Sequence, residues 1–130
     1  MRYSIIAALL YLTGCSSYFL ANYDTNEYAL INDIRTTAEL SKSHCKDVTY
    51  MRNASDIILY KATAFKNFTS GFGYNEDSIS AASNLLNIAK GLNEKYNSGV
   101  VPSIAYCESK VSSLEDTSKA IQTIIARKPR

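Results

Sequence analysis

Hydrophobic and small residues recur along this chain at alternating steps of three and four, the spacing that puts them on one face of a helix. One stripe is Ile31, Ile34, Ala38, Ser41 and Cys45. A second is Val48, Met51, Ser55, Ile58, Ala62 and Phe65, and a third runs from Ile79 through Ala82, Leu86 and Ala89 with Leu85 and Leu92 beside it. The last is Ile104, Cys107, Val111, Leu114, Ser118, Ile121 and Ile125. Strand alternation is not evident. Neither Gly nor Pro occurs between Ser16 and Ser70, and these are the residues that most often interrupt helices.

Breaks fall at Gly71-Phe72-Gly73-Tyr74-Asn75 and at Asn97-Ser98-Gly99-Val100-Val101-Pro102. The second has Gly after one helix and Pro at the start of the next, as capping preferences expect. A further joint lies at Ser41-Lys42-Ser43-His44-Cys45-Lys46-Asp47, where polar cap-formers cluster without Gly or Pro. A turn there predicts helices over 25–43, 47–70, 76–97 and 102–127, of near-equal length, and hence an all-α, up-down-up-down four-helix bundle. Without a turn, one long helix would carry a shorter helical hairpin. Only the four-helix arrangement puts Cys45 and Cys107 at the same end on core-facing stripes, and it is preferred for that reason.

The first fifteen residues differ from the rest. Arg2 precedes an apolar run from Ile5 to Leu12, the layout of a secretory signal and too short to span a bilayer, which takes about 20 apolar residues. Leu12-Thr13-Gly14-Cys15 follows it. This tetrapeptide resembles the lipobox of bacterial lipoproteins, and the resemblance covers residues 1–15 alone. It implies that signal peptidase II removes residues 1–14 and that Cys15 carries a diacylglyceryl group and often an amide-linked acyl chain such as palmitate. Several acyl chains make a stable anchor. Ser16, rather than aspartate, after the cysteine implies the periplasmic face of the outer membrane. A plain secretory signal cut after Ser17 or Ala21 is the competing reading, and the complete motif at the end of the apolar run favours the lipobox. The expected organisation is therefore a signal peptide over 1–14, a lipidated tether over 15–24 and a helical domain over 25–130.

An exported chain with Cys15 taken by lipid keeps two cysteines, Cys45 and Cys107, which predicts a disulfide in the oxidising periplasm. With 130 residues, 46 % of them hydrophobic and 20 % charged, the composition is that of one foldable domain. Its net charge of +2 offers no footprint for nucleic acid.

Catalytic patterns are missing. With a single histidine there is no imidazole pair, and there is no phosphate-cradling glycine loop. Glu76–Asp77 and Glu115–Asp116 are adjacent pairs that diverge on a helix and suit solvated faces. His44 beside Cys45 is too sparse for a metal site, so neither metal nor cofactor is expected. Asn53-Ala54-Ser55 and Asn67-Phe68-Thr69 match glycosylation acceptors that carry no expectation in a bacterial lipoprotein. Of the ten tyrosines, Tyr50, Tyr60, Tyr96 and Tyr106 are expected as half-buried flanks of the stripes.

The functional expectation is a non-enzymatic binding or adaptor lipoprotein of the cell envelope with a protein partner. The alternative is an envelope-protective exclusion or inhibitor lipoprotein of plasmid or phage origin, and an enzyme comes third. In the bundle, the start of the first helix, the 71–75 loop and the carboxyl end share one pole. That pole would lie at the membrane, with Phe72 and Tyr74 at the interface and Arg127, Lys128 and Arg130 meeting anionic headgroups. His44, Lys46, Val100 and Val101 mark the opposite pole as the expected partner surface.

Overall fold

The computed structural model describes residues 20–130, and all of their regular structure is helical. Helix α1 spans Thr25–Ser41, α2 Val48–Ser70, α3 Glu76–Asn97 and α4 Ile104–Ala126, with a single 3-10 turn at Lys42–His44 between α1 and α2. The chain therefore does turn after Ser41, and the single long helix is excluded.

Local chemistry sets these limits. Asp24 accepts from the N–H groups of Asn26 and Glu27, Asp47 from Tyr50, and Ser103 from Tyr106, which satisfies donors that a helix start otherwise leaves orphaned. Gly99, with φ +82°, follows α3 in the left-handed region, which costs glycine no clash of a side chain. Pro102 lies outside the fourth helix, contrary to its expected place at the start: Ser103 is the cap, and Pro102 is buried in the loop before it. In the loop between α2 and α3 the left-handed residue is Tyr74, at φ 57°, although two glycines are close by; that conformation costs a non-glycine residue about 1 kcal/mol or more. The Tyr74 carbonyl accepts from Ala21 N–H at 3.1 Å.

Consecutive helices pack on one another and α1 closes the ring on α4; α2 and α3 pack chiefly on each other, and so do α1 and α4. The core is built from the four stripes. Ile31, Ile34, Met51, Ile58, Phe65, Leu85, Leu92, Val111, Leu114, Ile121 and Ile125 are all fully buried. Truncating one of the larger members to Ala would cost about 3 kcal/mol or more. Ile104 departs from its stripe: it is 43 % exposed, because the first turn of α4 rises past the end of the core. The four tyrosines expected as flanks divide: Tyr96 is in the core at 2 % exposure, Tyr50 and Tyr60 are exposed, and Tyr106 is half-buried as a flank.

Polar ties run along the seams. Gln122 links α4 to α1, accepting from Arg35 at 2.9 Å and donating to Asn32 at 3.1 Å. Lys61 on α2 reaches Asp33 and Thr37 on α1. Arg52 on α2 donates to the Tyr96 carbonyl on α3, and the Tyr106 hydroxyl on α4 to the Gly91 carbonyl on α3.

Candidate functional site

The bundle has two chemically distinct poles. At the first, the chain entering α1, the 71–75 loop and the carboxyl end converge. Ala21 N–H donates to the Tyr74 carbonyl, and Tyr23 N–H donates to the Pro129 carbonyl at 2.7 Å. Beneath them lies a buried polar triad. The Glu27 carboxylate, 1 % exposed, accepts from Lys128 Nζ at 2.6 Å through one oxygen and from Asn75 Nδ2 at 3.1 Å through the other. Lys128 also donates to Asn75 Oδ1, and Asn75 to the Thr69 carbonyl. Every strong group of the triad thus has a partner, the condition under which a buried charge pair is tolerated.

Sequence reasoning missed this triad. Glu27 sits four residues before Ile31, on the same face, so an acidic residue at a core position was the available signal. Lys128 was expected to meet headgroups; its ammonium instead points into the fold, onto Glu27 and Asn75. Arg130 stacks its guanidinium over the Tyr23 ring at 5.1 Å, and Phe72 packs edge-on against Phe68. Arg127 and Tyr74 are exposed.

Beside the triad opens a cleft of about 430 Å³. Its walls come from the entering chain (Leu20, Ala21), the start of α3 (Glu76, Asp77, Ser78) and the end of α4 with the residues after it (Ile124, Arg127, Pro129). Asn75 is the N-cap residue of α3, but its side chain is committed to Glu27, Thr69 and Lys128 and caps nothing. The first bond of the helix is from Ile79 N–H to the Asn75 carbonyl.

At the opposite pole Cys45 and Cys107 form a disulfide with Cα atoms 5.7 Å apart, joining the α1–α2 turn to the first turn of α4. His44 is exposed and stacks on Tyr50 with ring centres 3.9 Å apart. Lys46 is exposed, and so are Val100 and Val101, each at 65 %. Among the described residues no group of His, Cys, Asp and Glu is arranged to hold a metal ion. The structure thus gathers the expected site residues at the two ends, apart from Cys15, which lies outside the described residues together with the expected signal peptide and the expected tether as far as residue 19.

No family model, curated protein or solved structure matches the chain. Its function is therefore argued from its own residues.

Two ionisations are displaced. The Tyr96 hydroxyl is pushed above its ordinary pKa by burial, with nearby Tyr106 adding to it. The Glu115 carboxyl is held below its ordinary value, chiefly by the hydrogen bond from Lys119. Neither lies at a pole cleft. No helix among the described residues is long and apolar enough to cross a membrane.

Proposed function

We propose that this chain is a lipid-anchored protein of the bacterial envelope, tied to the outer membrane through Cys15, whose bundle works as a non-enzymatic binding or adaptor module. The observation that carries the reading is the entry of the chain. Residues 20–24 follow the lipobox cysteine closely and are bonded to the 71–75 loop and to Pro129, so an anchor at Cys15 holds that pole at the bilayer. The disulfide pole, with exposed Val100, Val101 and Ile104, then projects into the periplasm. Exposed aliphatic residues grouped on one surface favour a protein contact. Lys46 at the same pole supplies a charge at the rim.

Two experiments test this. Cells fed an alkyne fatty acid should label the native chain and not Cys15→Ser; a variant that still takes up label and still fractionates with membranes refutes the anchor. Photocrosslinkers placed at Lys46 and Val100 should yield protein adducts, and those at Phe72 and Arg127 lipid adducts. Protein adducts from the second pair alone would reverse the orientation.

A further inference from the structure

We propose that the cleft beside the Glu27–Asn75–Lys128 triad is a site for a zwitterionic phospholipid headgroup, a phosphodiester carrying a primary ammonium. The proposal rests on the anchor reading for its source of lipid: Cys15 is five residues before Leu20, and five residues span at most about 18 Å. The cleft is therefore held within one headgroup layer's reach of the bilayer.

The chemistry of the cleft selects the headgroup. The N–H groups of Glu76, Asp77 and Ser78 have no partner within their helix, and no side chain caps them. Helix starts of this kind favour a phosphate. A second observation points the same way. Ser78, which lines the cleft, is fully buried, and its hydroxyl has no hydrogen-bond partner; buried hydroxyls are ordinarily paired. Arg127, across the cleft and outside any ion pair among the described residues, adds a guanidinium suited to a phosphodiester.

A simple anion is a poor match, because Glu76 and Asp77 line the same space. Their carboxylates would repel it and already offset the positive end of the helix. A ligand bringing its own ammonium turns that repulsion into a contact, and the three N–H donors of a primary amine can be taken by the two carboxylates. A trimethylammonium has none to give. Leu20, Tyr74, Ile124 and Pro129 supply an apolar wall for the glycerol and first acyl carbons.

The test uses the full chain, purified in a detergent without phosphate or amine, and follows its backbone amides by NMR. Glycerophosphoethanolamine should move Glu76, Asp77, Ser78 and Arg127 saturably, and bind about tenfold more tightly than glycerophosphocholine, inorganic phosphate or ethanolamine, as one charge-assisted contact implies. Arg127→Gln should weaken it about tenfold and Ser78→Ala about threefold, with unchanged thermal midpoints showing that both variants fold. In nanodiscs, the same shifts should arise with phosphatidylethanolamine present and not with phosphatidylcholine alone. A folded chain with no saturable shift overturns the proposal, as does equal binding of phosphate or ethanolamine alone. Shifts with the soluble headgroup but in neither nanodisc overturn the lipid source. Soluble-headgroup binding does not need Cys15, so a chain that binds it but takes no fatty-acid label would refute the anchor and leave the cleft standing.

Discussion

The two ends of this bundle are closed by opposite means. At one, a covalent bond joins Cys45 to Cys107; at the other, Lys128, Glu27 and Asn75 hold together residues that are far apart in sequence by charge and hydrogen bonds alone. A disulfide acts largely by restricting the unfolded chain, so it needs no buried polar groups and leaves the loops around it free to be exposed and apolar, as Val100 and Val101 are. A buried ion pair acts only in the folded state and only while every lone pair and proton has its partner. That requirement draws the Asn75 side chain inward, leaves the start of α3 uncapped and opens the cleft. The end that is fastened by charge is thus also the end left with unused hydrogen-bonding capacity.

The strongest break in this comparison is removal of the covalent end. Cys45→Ala with Cys107→Ala should lower stability by about 4 kcal/mol, the chain-entropy value for a loop of this length, read from urea unfolding. Next is the charged end. Lys128→Ala leaves Glu27 buried without its countercharge and should cost about 3 kcal/mol, while Glu27→Leu with Lys128→Met, which removes both charges, should cost about 1 kcal/mol or less. A double change as damaging as the single one would show that the pair is not the unit. The poles are separated by helices of about 34 Å, so the cysteine and Lys128 losses should add to within about 0.5 kcal/mol. Smaller still are the caps: Asp24→Ala, at the charged end, and Ser103→Ala, at the covalent end, should each cost about 1 kcal/mol.

The pH responses are the finest test. The Tyr96 pKa is raised above 10.0 by burial, so the folded state holds the proton more tightly. The associated stability is complete below about pH 10 and is lost as pH rises through the folded value. Glu115 behaves in the opposite sense: its pKa is lowered from 4.5 by Lys119, so its contribution is present above the ordinary carboxylate range and lost as pH falls through the folded value. Lys119→Ala should move the Glu115 titration, followed by NMR, back upward.

The fold was largely legible because its core obeys one period. The stripe from Ile31 is buried as read, and those from Val48, Ile79 and Ile104 are buried beyond their first members, Val48 and Ile79 being partly buried and Ile104 exposed; the pairing of Cys45 with Cys107 fixed which helix ends meet. Legibility stopped where burial is decided by something other than period. Glu27 and Gln122 are buried polar residues whose partners lie 101 and 87 residues away, a separation that a local pattern cannot express. Ile104 is on the stripe but beyond the end of the core. Tyr60 and Tyr96 look alike in sequence, yet Tyr96 falls on the buried face of α3 and Tyr60 on the outer face of α2. The cleft was invisible for a related reason: its three walls come from three separate stretches of chain, and its defining feature is a cap that Asn75 does not make.

The closure of α1 on α4 also sets an order in time. Among the described helices, α1 has α4 as its most extensive neighbour, and Tyr23 is bonded to Pro129. A nascent chain that has not yet passed residue 103 can form the α2–α3 hairpin, whose contacts are near in sequence and close quickly. It has no surface on which α1 can bury its stripe, no thiol for Cys45 and no ammonium for Glu27. The disulfide therefore becomes available only once Cys107 has been made, and the ring and the triad only once α4 and Lys128 have followed.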